Sequence, residues 1–184
     1  MDPLFIKTAS IGFATLLLLA ARHKLVKFAA FRETLHEYRL LPATIVTPAA
    51  CAIICAEFLI ALGWLTTLAG AAPAIIAAGS TVGLLGTYTF AIAINLWRGR
   101  RYVSCGCSLS EGAGEHLSWG LVIRNGMLIG VALITMLPAL PRAMRIGGYV
   151  TIFVALFASA LLYMAGAQLL RNAAAIGAWR HSRE

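Results

Sequence analysis

The sequence predicts an all-α protein: a polytopic membrane helical bundle of about five transmembrane helices, with an interfacial amphipathic helix between the first two. Composition is the first reason. The 184 residues are 60% hydrophobic and 12% charged, with a mean hydropathy of +0.84, which is too little polar surface to coat a soluble globule. Segment length is the second. Residues 4–21, 49–72, 73–97, 119–140 and 146–170 are apolar stretches that reach or approach the roughly 20 residues needed to cross hydrocarbon. The third is that these stretches far exceed the roughly 10-residue alternating strands of a barrel, so helices must satisfy the backbone groups in lipid. No stretch remains for a soluble domain, and residues 1–184 read as a single integral membrane domain.

The first stretch has only Lys7 against Asp2 in its amino-terminal flank, a poor leader pattern, so it is expected to stay as a span. Between the first two stretches, Phe28, Phe31, Leu35 and Tyr38 share one helical face, with Arg32, Glu33, His36, Glu37 and Arg39 opposite. That pattern predicts a helix in the headgroup plane, stopped by Pro42. The second and third stretches meet at Ala71-Ala72-Pro73, an uncharged connection that predicts a tight antiparallel hairpin. Gly79 and Gly83 in the third, and Gly126 and Gly130 in the fourth, have the small-residue spacing that lets another helix approach. The tail after the fifth is short and basic. A net charge of +8 carried in segments flanking the spans points to anionic lipid headgroups, and with no soluble module to present it, not to nucleic acid.

Four cysteines carry the candidate chemistry. Successive connections alternate sides of the membrane, so the first and third share a face. Cys51 and Cys55, expected in the first turns of the second span, and Cys105 and Cys107 in the third connection therefore belong to one end of the bundle. Trp97 and Trp119 bracket that connection and would hold it at the interface. Cys105-Gly106-Cys107 can close on itself only if the chain turns at Gly106; a disulfide in so small a ring is strained and hence a good oxidant of incoming thiols. Cys51 and Cys55 are one helical turn apart, better placed to exchange with the loop pair than to bond each other. Paired thiolates also suit a soft metal ion such as Hg(II) or Cu(I), and Cys51 and Cys55 suit plain apolar filling.

Glu57 and Arg124 are the conspicuous ionisable residues inside spans, each near the thiol end, where they could pair. Such a pair fixes helix register or, functionally, steadies a thiolate or a reduced quinone oxygen and moves a proton. Asn95 and Asn125 offer hydrogen bonds in the same layer, and His116 beside Glu115 is a candidate base.

The arginines closing the third span, Cys105-Gly106-Cys107, a short polar loop and a span entering with Arg124-Asn125 together resemble the MauE family of methylamine-utilisation membrane proteins, with wider similarity to DoxX-like bundles. The likeness covers nearly the whole chain in layout, and its specific part is residues 95–125. It implies a thiol–disulfide role carried by Cys105 and Cys107, in maturation of the disulfide-rich small subunit of methylamine dehydrogenase alongside an exported thioredoxin-like partner, MauD. A fold-level analogy to DsbB and vitamin K epoxide reductase-like proteins implies that electrons pass on to the quinone pool, by way of Cys51 and Cys55, with the quinone held by Glu57, Arg124, Asn125 and Asn95.

The expected protein is thus a multi-pass inner-membrane thiol–disulfide oxidoreductase with its thiol loop on the periplasmic side and no resident metal. Its alternatives are a soft-metal thiolate carrier and a non-catalytic anchor for the thioredoxin-like partner. The basic residues set a counterweight on orientation. Arg22, Lys24, Lys27, Arg32 and Arg39 precede the second span and Arg98, Arg100 and Arg101 follow the third, a pattern that by the positive-inside rule draws this end to the cytoplasm.

Overall fold

The computed structural model describes residues 3–99, 119–138 and 146–181. Among these residues it contains six helices and no strands: α1 Pro3–Val26, α2 Phe28–Glu37, α3 Ala43–Leu68, α4 Ala74–Trp97, α5 Trp119–Ile134 and α6 Ile146–His181. Cys105, Cys107, Glu115 and His116 lie outside the described residues. The chain divides into two compact units, Met1–Ala143 and Met144–Glu184.

In the first unit, helix boundaries differ from the hydropathy reading for local reasons. α1 runs five residues past Ala21, because Arg22, His23 and Lys24 are good helix formers and charge alone does not end a helix. Only a turn at Lys27 separates it from α2. The charged face of α2 is exposed; Phe31, Thr34 and Tyr38 are buried and Phe28 and Leu35 half-buried, so the apolar stripe faces the bundle. α3 starts six residues before Ala49. Pro42, with extended backbone, forms its N-cap, and Pro48 is accommodated inside the helix. It ends in a Schellman motif, with Gly70 at φ 76° and its N–H donating to Thr67 O while Ala71 N–H donates to Thr66 O. Pro73 caps α4, confirming a short connection, and Gly99 at φ 73° closes it.

α1, α3 and α4 are long and apolar enough to cross a membrane, and the chain is a membrane protein. α5 has 16 residues, about 24 Å at 1.5 Å per residue, short of the expected 119–140, because the chain leaves the helix ahead of Pro138. In the second unit, α6 is longer than expected: the Ala-rich tail continues the helix to His181, beyond an apolar stretch at Val150–Gly166.

Within the first unit, α1 packs chiefly on α3, α3 on α4, α4 on α5, and α2 on α3. Neighbours run antiparallel, which gathers two cores. Phe13 and Leu17 of α1, Ala61 and Trp64 of α3, Ala77, Ala78 and Leu85 of α4 and Ala132 of α5 form the first. Tyr38 after α2, Ile92 and Leu96 of α4 and Leu121 of α5 form the second, at the opposite end. Hydroxyls inside these apolar helices are satisfied locally: Thr8, Ser10, Thr81 and Thr89 each donate to the carbonyl one turn back.

Close approach occurs at Gly63, outside the predicted pairs, and at Gly79 within them. A Cβ on Gly63 would lie 3.7 Å from Ala77 Cβ and one on Gly79 3.7 Å from Met136 Cε, whereas Gly83, Gly126 and Gly130 face no described atom within 4 Å. Beside Gly63, Trp64 is fully buried, stacks on Phe13 at 5.1 Å between centroids, and donates its indole N–H to Thr81 Oγ1 at 2.8 Å. Trp64→Ala should therefore cost about 3–5 kcal/mol and Trp64→Phe, which loses only the hydrogen bond, about 1 kcal/mol, read from unfolding in detergent micelles.

Candidate functional site

Each helix of the first unit buries one seam at alternating three- and four-residue steps. On α1 it is Ser10, Ala14, Leu17, Ala21 and Lys24, so a lysine takes the last core position. On α3, Ala50, Glu57, Ala61 and Trp64 share the buried face. On α4 the seam places Thr81, half-buried Tyr88 and Asn95 seven residues apart.

The three seams meet in a buried cluster. Lys24 is 2% and Glu57 1% exposed, and the Lys24 ammonium forms an ion pair with Glu57 Oε1. Lys24 Nζ also donates to the Tyr88 hydroxyl at 3.1 Å, and that hydroxyl donates to the same Oε1 at 2.7 Å. The ammonium lies 4.7 Å from the Tyr88 ring centroid and 5.2 Å from that of Phe31, which α2 lowers onto it. Glu57 Oε2 is buried with no hydrogen-bond partner.

The pairing open to Glu57 and Arg124 in the sequence is therefore corrected: Lys24 and Tyr88 engage the carboxylate. Hydropathy reading assigned Lys24 to the first connection, and only the seam that continues through Ala21 reveals that it turns inward. Arg124 is partly buried in the second turn of α5, next to buried Asn125. Asn95 is fully buried at the far end of the α4 seam; its Nδ2 donates to Ala91 O at 3.0 Å while its Oδ1 has no partner.

Cys51 and Cys55 are free thiols exposed on α3. They sit about 12 and 18 Å from the start of the helix rather than in its first turns, because α3 begins at Ala43. Cys55 lines an open apolar cleft of about 550 Å³ with Leu18, Ala21 and Leu25 of α1, Phe58 and Leu59 of α3, and Arg22. Among the described residues no group of three metal-ligating side chains converges.

A buried pair broken on one side leaves an uncompensated charge, whereas replacing both members by apolar groups of similar volume is close to neutral. Glu57→Leu should accordingly cost about 3–5 kcal/mol, and Lys24→Met/Glu57→Leu should recover most of it, read as the unfolding midpoint in detergent.

Comparisons with known proteins agree with this layout. The family model described as "Methylamine utilisation protein MauE" matches residues 2–138, which span α1 to α5. The methylamine utilization protein MauE of Paracoccus versutus is 36% identical over 151 residues, 82% of this chain and 77% of the relative. That of Paracoccus denitrificans is 33% identical over 141 residues, covering 76% and 73%. That of Methylophilus methylotrophus is 29% identical over 165 residues, covering 89% and 85%. No solved structure matches the chain. With its family match covering the whole α1–α5 bundle, this chain belongs to the MauE family.

Proposed function

We propose that this protein serves methylamine utilisation as a membrane thiol–disulfide oxidoreductase, exchanging electrons with an exported, MauD-like thioredoxin-fold partner through Cys105 and Cys107. The observation that carries the reading is the second core. Tyr38, Ile92, Leu96 and Leu121 draw the end of α2, the end of α4 and the start of α5 together. Gly99 and Trp119, the flanks of the Cys105-Gly106-Cys107 segment, thus belong to the end of the bundle that α2 caps. Two thiols one residue apart in a polar connection have no packing role to explain them, and the relatives' names attach to a system that processes methylamine.

In the exchange, a partner thiolate attacks one sulfur of the Cys105–Cys107 disulfide and the other sulfur leaves as a thiolate. The partner's second thiolate then displaces the mixed disulfide. The partner is oxidised by two electrons and the Cys105/Cys107 pair gains them. Reoxidation would run by exchange with Cys51 and Cys55 in a disulfide-bonded state, which a bound quinone would regenerate. Two buried acceptors with no partner, Glu57 Oε2 and Asn95 Oδ1, fit the hydroxyls of a reduced quinone. Arg124 and Asn125 would border the same head group, and the quinone when bound would supply a two-electron sink. The protein is placed in the inner membrane with the thiol connection periplasmic.

The test is labelling with a membrane-impermeant maleimide in intact cells, with Cys105→Ser/Cys107→Ser as the control for signal from Cys51 and Cys55. Cys105 and Cys107 should label from outside, and only after reduction; thiols that are free and reachable only from the cytoplasm would overturn the reading. In parallel, Cys105→Ser and Cys107→Ser should each insert normally yet leave the partner's dithiol reduced.

A further inference from the structure

Oxidising a dithiol with a quinone moves two electrons and two protons, and at a site buried among apolar helices side chains must carry part of that proton traffic. We propose that Lys24, Glu57 and Tyr88 form the proton-exchange site of this protein, with Glu57 Oε2 as the atom that takes and returns the proton. The inference rests on the redox reading above and deepens it, adding Lys24 and Tyr88 and giving Glu57 Oε2 a part in proton transfer beside its part as a hydroxyl acceptor.

Three features of the cluster distinguish a proton site from an ion pair that only fixes helix register. The first is asymmetry. Both hydrogen bonds to the carboxylate, from Lys24 and from Tyr88, fall on Oε1. Oε2 is left buried with its lone pairs uncommitted. A register-fixing pair is most stable when both oxygens are satisfied, since an unmet buried acceptor is costly.

The second is the aromatic support around the cation. When Oε2 is protonated, Glu57 becomes neutral and Lys24 keeps a positive charge with no counter-ion in a low-dielectric interior. The rings of Tyr88 and Phe31, 4.7 and 5.2 Å from Nζ, present faces that hold a cation in that state. A permanent ion pair has no need of them. The third is position. Tyr88 and Asn95 lie on the same seam of α4, roughly 10.5 Å apart along the helix, and Asn95 is nearer the thiol-bearing connection. Its unpartnered Oδ1 is a second buried acceptor on the line between cluster and connection.

The groups that face Glu57 are Lys24 from α1 and Tyr88 from α4, while α2 contributes the Phe31 ring to Lys24. The cycle then balances. The Cys105/Cys107 dithiol closes to a disulfide and releases two protons and two electrons. A bound quinone would supply the two-electron sink, Glu57 Oε2 would carry one of the two protons it needs, and the other would come from the aqueous side. Uptake at Glu57 and arrival of an electron pair offset each other's charge, which couples the two transfers.

The full-length protein in liposomes, cycled with dithiothreitol as donor and ubiquinone-1 as acceptor, tests this with two readouts. Difference infrared spectroscopy between the oxidised and reduced protein should show a protonated-carboxyl band that Glu57→Gln removes. Reoxidation of the Cys105/Cys107 pair, followed by maleimide gel shift, should slow about 10²-fold in Lys24→Met/Glu57→Gln. Tyr88→Phe should slow it less, because Oε2 is untouched. The double variant carries no unpaired buried charge, so it should insert and unfold like wild type. A double variant that reoxidises at the wild-type rate, or a carboxyl band that survives Glu57→Gln, overturns the proton site while leaving the thiol reading intact. A wild-type thiol pair that fails to cycle overturns both.

Discussion

A lysine and a glutamate buried face to face among apolar helices constrain the whole of the first unit. Desolvating either charge costs several kcal/mol, so Lys24 and Glu57 are tolerable only when three helices bring them together with Tyr88 between. That requirement fixes the rotation of α1, α3 and α4 about their own axes. Apolar packing alone leaves such rotations loosely specified in lipid, where the hydrophobic effect does not distinguish one apolar face from another. Once Lys24 and Glu57 meet, Phe13 falls against Trp64 two to three turns below, and Trp64 reaches Thr81.

The amphipathic helix α2 closes the cluster from above. Its exposed face carries Arg32, Glu33, His36 and Glu37, and its buried face supplies Phe31 to the ammonium and, just beyond its end, Tyr38 to the second core. One short helix therefore joins the polar interior to the end where the thiol-bearing connection is anchored. The near-continuity of α1 into α2 through Lys27 explains how this is done: the turn redirects the chain within one residue of the helix that carries Lys24.

Much of this was legible in the residues. The stripe of Phe28, Phe31, Leu35 and Tyr38 specified a helix with one apolar side, because amphipathic period is a local property, while its packing against the bundle came only from the structure. Glu57 stood out as a carboxylate in an apolar run. Its partner did not, because Lys24 sits next to Arg22 and His23 in a stretch that composition assigns to a loop. The helical seam through Ser10, Ala14, Leu17 and Ala21 outranks composition there, as burial periodicity usually does when a helix former carries the charge. Tyr88 was hidden for a different reason: a tyrosine in an apolar helix is unremarkable until its hydroxyl has somewhere to go. The end of α5 was overrun by hydropathy because Pro138 interrupts the backbone without changing the apolar character of the stretch. Of the predicted glycines Gly79 is closely approached and Gly83, Gly126 and Gly130 are not, because spacing shows that a helix can be approached, and not from which side.

The cysteines of α3 lie off the seam that holds Glu57. Cys51 and Cys55 point away from the seam that holds Glu57, and Cys55 opens into a cleft walled by Leu18, Leu25 and Phe58. In the proposed cycle, electrons leaving the loop thiols therefore travel along the outer face of α3, in contact with the apolar phase in which a quinone tail dissolves. The inner face of the same helix carries the carboxylate. A single helix with exposed thiols outside and Glu57 inside keeps the cysteines away from the buried ion pair, so the two sets of groups can be varied independently.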